Sequence, residues 1–213
     1  MPVAGSTLQK MAVESYKPVG TAVDGWELFH QTPTLKFYKK GNVIVVAVRG
    51  TEYTTTMDVR SWAPAYLGQI ATSERFKKDL AEIQSVQRSF PPLEFEWYGV
   101  GHSLGGAIID ELLEMGVLRE GLSYNPAVAK ANYTKDLKNE RLYVRSDPLY
   151  ELMGKHTKGV KVREPTITSE KLVDALVPED KSWKKALKMA GKVYDKYSAH
   201  KLSNFEGGRK KRT

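Results

Sequence analysis

The pentapeptide GHSLG, Gly101 to Gly105, sets a serine between two glycines, with a third, Gly106, directly behind it. An apolar run, EWYGV, leads into it, and AIIDELLEMG follows with the spacing of a helix. Here a strand ends at Val100, a helix begins near Leu104, and Ser103 occupies the turn between them. Such a turn presents its side chain above the carboxyl edge of a sheet, and it is tight enough that the residues two before and two after must be small. This is the arrangement in which a serine acts as a nucleophile. The helix N-terminus offers unpaired N–H groups and a positive dipole end, both suited to a developing oxyanion. The N–H of Leu104 is the first such donor. A glycine-rich turn without chemistry is the plain alternative.

A hydroxyl is a weak nucleophile until a base takes its proton. The chain has four histidines. His102 is too constrained beside Ser103 to turn back onto its hydroxyl. His30, in WELFHQTPTLKFY, reads as structural or exposed. His200, in YSAHKLSNF, follows a helical pattern late in the chain, and the order serine, acid, histidine favours it. His156, in MGKHTKGV, is the reserve. The acid that orients the imidazole should follow a strand between serine and base. Asp147 meets this: RLYVR is a strand pattern, and Pro148 holds the preceding residue extended. Asp136, Asp174 and Asp180 have loop or helix contexts. A second oxyanion donor is expected at an earlier strand end, where VVAVRGTEYTT offers Gly50 and Thr51, the latter with both an N–H and a hydroxyl. Arg49 is read as structural, paired with a carbonyl or an acid such as Asp58.

These residues require a framework. NVIVVAV is β-branched and apolar on both faces, as a parallel strand covered by helices should be. SERFKKDLAEIQSVQRSF carries Phe76, Leu80, Ile83, Val86 and Phe90 at helical spacing behind a Ser73 cap, and Pro91 and Pro92 stop it. LEFEWYGV, GLSYNPAVA, RLYVRS and GVKVRE read as further strands, and residues 1–40 as a helix plus an antiparallel edge. The alternation predicts a three-layer α/β domain over residues 1–205, mostly parallel in its sheet, with a basic tail at 206–213.

Composition agrees with this. The 213 residues are 41% hydrophobic, enough for one domain with a sizeable core. No apolar run approaches the roughly 20 residues of a membrane span, and the opening MPVAGSTLQKMAVESYK lacks the apolar centre of a secretory leader. A cytoplasmic location is therefore expected. Without cysteine there are no disulfides or thiolate metal sites, and neither cofactor nor metal is expected.

Taken together, the motifs resemble the class 3 lipases, the fungal-type triacylglycerol lipase family of the α/β-hydrolase superfamily. The likeness runs from about Gly25 to Phe205, through VVAVRGT, VGHSLGGAI, SYNPAVA, SDPLYELMG and the histidine of HKLSNF. By that resemblance Ser103, Asp147 and His200 would be the triad, and Thr51 and Leu104 the oxyanion hole. The reaction implied is carboxylic ester hydrolysis through an acyl-serine. A phospholipase or acyl-thioesterase with the same triad is the nearest alternative. Many family members are secreted and disulfide-bonded, whereas this chain has no cysteine. The 52 positions from Thr51 to Ser103 leave room only for a small lid, in which Trp62, Tyr66, Leu67 and Ile70 would cover an acyl groove. The competing reading packs that segment on the core.

The formal charge is +8, yet residues 181–213 alone carry +9. Lys184, Lys188, Lys192 and Lys196 form an i, i+4 ridge opposite an apolar side. This ridge is either a solvated helix face or a contact for an anionic membrane surface. The tail residues Arg209, Lys210, Lys211 and Arg212 suit nucleic acid equally well, and packaging in a virion is a third use. An inactive hydrolase fold that binds lipid or nucleic acid through this end is the rival to an enzyme.

Overall fold

The computed structural model describes residues 1–51, 70–127, 138–145, 147, 150 and 160–163. Helix α1 (Gly5–Glu14) precedes a meander of β1 (Glu27–Gln31), β2 (Leu35–Lys40) and β3 (Val43–Val48). A short 3₁₀ turn (Ile70–Thr72) leads into α2 (Glu74–Ser89), then β4 (Glu96–His102), α3 (Leu104–Glu114) and β5 (Glu120–Tyr124). β6 (Asn139–Val144) and β7 (Val160–Arg163) complete a seven-stranded sheet whose spatial order equals its chain order. β1 to β3 pair antiparallel, and β3 to β7 pair parallel. The chain is thus α/β with a mostly parallel sheet, and the early residues form the expected helix and antiparallel edge.

The pleat sorts the core into two layers. Val45 and Ala47 of β3 face Leu8, Met11 and Ala12 of α1. Ile44, Val46 and Val48 face the other way, into Phe76 and Ile83 of α2 and Ile108 and Leu112 of α3. Right-handed crossovers that step in one direction put both connecting helices on one face, which is where α2 and α3 lie. Ser73 caps α2 as anticipated, its hydroxyl accepting from the Phe76 N–H at 3.1 Å.

β4 differs from its sequence reading at both ends. Leu93 is fully exposed in the turn after α2, where the Pro91 carbonyl accepts from Glu94 and Phe95. At the other end the strand continues past Val100. Gly101 pairs with Val48 and Ser123, and His102 with Tyr124. Glycine carries no strand signal of its own, so only the two neighbouring strands extend the ladder here.

Lys36 of β2 is buried on the α1 side, and its ammonium donates to the Lys17 carbonyl. Burial holds its pKa below the ordinary lysine value, and Glu14 offsets this in part. The folded chain therefore sheds this proton more readily than the unfolded chain, and stability should rise with pH as the solution approaches 10.5 from the lowered value. Lys36→Met is expected to be about 1 kcal/mol more stable at neutral pH, because the freed carbonyl belongs to exposed Lys17. That advantage should shrink towards pH 10.5 in urea titrations run at several pH values.

Candidate active site

Ser103 stands where β4 gives way to α3, with φ 56° and ψ −124°. A left-handed φ is uncommon for any residue with a side chain, and this ψ makes it more so. Such a conformation persists only where its surroundings over-determine it, and here the backbone is held on both sides. The Ser103 N–H donates to the Tyr124 carbonyl at 3.0 Å, and the Ser103 carbonyl accepts from the N–H groups of Gly106, Ala107 and Ala127. The Ser103 hydroxyl does not cap the helix it precedes.

The glycines are small because backbone passes against them. A Cβ on Gly101 would lie 2.5 Å from the Gly105 carbonyl, and one on Gly105 only 2.2 Å from the Val48 oxygen. A Cβ on Gly106 would meet Pro126 at 2.7 Å. Neither backbone can retreat without breaking sheet pairing. Gly105→Ala should therefore cost about 3 kcal/mol, seen as a lower urea midpoint; an unchanged midpoint would contradict this packing.

The loop after β3 lies against this turn. Gly50 is buried, and a Cβ built on it would be 3.1 Å from the Ser103 Cβ. Thr51 follows, half-buried. The structure thus brings together Ser103, Leu104 and the Gly50 entry to Thr51. Asp147 is fully buried just past β6, and its N–H donates to the Val144 carbonyl at 2.9 Å. Asn125, at φ 41°, ties the ends of β5 and β6 together. Its N–H donates to the Leu142 carbonyl at 2.7 Å, and its side-chain oxygen accepts from the Val144 N–H at 2.9 Å. Ser103, the Gly50–Thr51 loop and Asp147 therefore stand at the carboxyl ends of β4, β3 and β6, on one rim of the parallel sheet.

His30 is an edge-strand residue three strands from β4, its Nε2 2.6 Å from Glu82. His102 is turned from its neighbour's hydroxyl, as its constraint implies, with Nδ1 2.6 Å from the Tyr16 hydroxyl. Ile70, the lid candidate among the described residues, is buried in one cluster with Leu35, Phe37 and Ile108. His200, His156, Trp62, Tyr66, Leu67, Asp58, the lysine ridge and the basic tail lie outside the described residues.

Sequence reading did not single out two participants. Tyr16, just beyond α1, accepts from the Gly50 N–H at 3.1 Å. Arg75 of α2 donates through Nη2 to the Arg49 carbonyl at 2.7 Å. Neither carries a motif, since their partners are 34 and 26 positions away. Among the described residues, no cluster of His, Asp and Glu could hold a metal, and no helix is long and apolar enough to cross a membrane.

Comparison with protein-family models gave no match, and a search of curated protein sequences gave none either.

Proposed function

We propose that this chain is a serine hydrolase of α/β-hydrolase type that cleaves carboxylic esters of lipids through an acyl-serine intermediate. The observation that carries the reading is the strained conformation of Ser103 at a strand-to-helix junction, flush against a glycine loop from the adjacent parallel strand. Asp24 and Asn125 also have positive φ, but Ser103 combines it with ψ −124°, outside the left-handed helical region. Strain of this kind clusters at functional sites.

In the proposed reaction the Ser103 oxygen adds to the ester carbonyl and its proton passes to His200. The N–H groups of Leu104 and Thr51 receive the negative charge on the carbonyl oxygen. Collapse expels the alcohol, which takes the proton from His200. Water then repeats the cycle, releasing the acid and restoring the serine. Asp147 orients the imidazole and stabilises its charge.

A fluorophosphonate probe should label the wild-type chain at Ser103, and a graded series of p-nitrophenyl esters should be hydrolysed. Longer-chain esters should be preferred if an acyl groove is present. A folded wild-type protein that takes no label and turns over no ester would overthrow the reading in favour of a binding module.

A further inference from the structure

One peptide group next to Ser103 is held at both of its polar atoms. The carbonyl of Arg49 accepts from Arg75 Nη2 at 2.7 Å, and the N–H of Gly50, in the same peptide plane, donates to Tyr16 Oη at 3.1 Å. The two clamps come from opposite layers. Arg75 belongs to α2 and is completely buried. Its Nε donates to Asp79 at 2.7 Å, and the other oxygen of that carboxylate accepts from the Thr34 hydroxyl at 2.6 Å. The Thr34 carbonyl in turn accepts from the Arg49 N–H at 2.9 Å. On the α1 side, the Tyr16 hydroxyl lies 2.6 Å from His102 Nδ1, which orients it towards the loop.

A loop that begins with glycine needs such restraint. Glycine turns freely through φ values closed to other residues, so an unrestrained Arg49–Gly50 peptide would flip and carry the next amide with it. A side chain at position 50 would suppress the flip, but it would strike Tyr16 Oη at 2.2 Å and the His102 carbonyl at 2.6 Å. The clamp also engages the Gly50 N–H, so that this N–H is not the oxyanion donor.

Resting on the hydrolase reading above, we infer that Tyr16 and Arg75 are positioning residues of the oxyanion hole, locking the Arg49–Gly50 peptide so that the Thr51 donor is in place before substrate arrives. They touch no reacting atom. Their effect is to spare the transition state the reorganisation of a loose loop.

The test uses the full-length chain, Tyr16→Phe and a p-nitrophenyl butyrate assay. A trifluoromethyl ketone is run alongside it, since its adduct with Ser103 places an oxyanion in the hole. Removing a donor outright costs 10²–10³ in kcat, and loosening one should cost about tenfold. Tyr16→Phe is therefore expected to lose about tenfold in kcat with KM within about twofold, and ketone affinity should fall by the same factor. The melting temperature should fall by only a few degrees, as expected for the Gly50 N–H left without its acceptor, and kcat is read well below it. If that variant does not fold, Arg75→Lys is read identically, because a lysine cannot serve Asp79 and the Arg49 carbonyl together.

His102→Gln separates the two contacts of Tyr16: it should lose far less than Tyr16→Phe, and an equal loss would route the effect through His102 and overturn the clamp. Wild-type kcat in folded Tyr16→Phe, or a kcat loss without weaker ketone binding, would also overturn it. Failure of the wild type to react with fluorophosphonate is a separate result, which removes the hydrolase reading itself.

Discussion

Ser103→Ala is expected to lower ester hydrolysis by about 10⁶-fold, the scale seen when a triad serine is removed, and to abolish fluorophosphonate labelling. Ser103→Gly should be equally inactive, yet the two variants should differ in stability. In the middle of a helix or strand glycine is less stable than alanine by roughly 0.5–1 kcal/mol, through backbone entropy, whereas at an N-cap such as Ser103 the order already reverses. Here a Cβ is held at φ 56° and ψ −124°, where side chains cost of order 1–3 kcal/mol. Glycine escapes that cost. Ser103→Gly should accordingly be more stable than Ser103→Ala by about 1 kcal/mol, and should melt at or above the wild-type temperature. If alanine proves the more stable of the two, the turn is not strained and the main support for a catalytic serine is lost.

The second large effect lies beneath the site. Asp110, on the sheet side of α3, is completely buried. One carboxylate oxygen accepts from Asn139 Nδ2 at 2.7 Å and from Arg141 Nη2, and the other accepts from Arg141 Nε at 3.1 Å. Burial pushes this carboxyl above its ordinary range, while the guanidinium of Arg141 draws it back. Asp110→Ala leaves that guanidinium in the interior without its anion, and a loss of about 3–5 kcal/mol is expected. For a domain of ordinary stability this is a large share of the total. Replacing both partners by apolar residues, Asp110→Leu with Arg141→Met, should recover most of it, because the desolvation cost then disappears from both sides. Urea denaturation of the two variants decides the matter; equal losses would mean the pair contributes shape and not charge balance.

Much of this framework could be read along the chain because it depends on local patterns. The β-branched run at Val43–Val48, the Ser73 cap and the three glycines around Ser103 each act within a few residues of themselves, and each lies where expected. What escaped notice depends on distance. Tyr16 and Arg75 matter only because folding sets them on the two sides of one peptide. Asp110 sits beside Glu111 in its helix and shows its purpose only when β6 delivers Arg141. Lys36, in LKFYKK, reads as a solvated strand lysine until α1 closes over it. The carboxyl end of β4 is non-local in the same way: Gly101 and His102 become strand only through Val48, Ser123 and Tyr124.

Because each described strand after β1 pairs with the described strand before it, the described sheet can be laid down in the order in which a ribosome delivers it. Each described strand has its first partner already synthesised when it emerges, although the parallel pairs still close long loops, Val43 with Glu96 among them. The bonds that fix the serine's backbone are complete by Ala127. A nascent chain cleared to that point would already hold Ser103 at its positive φ, with Asp147 and His200 still to emerge.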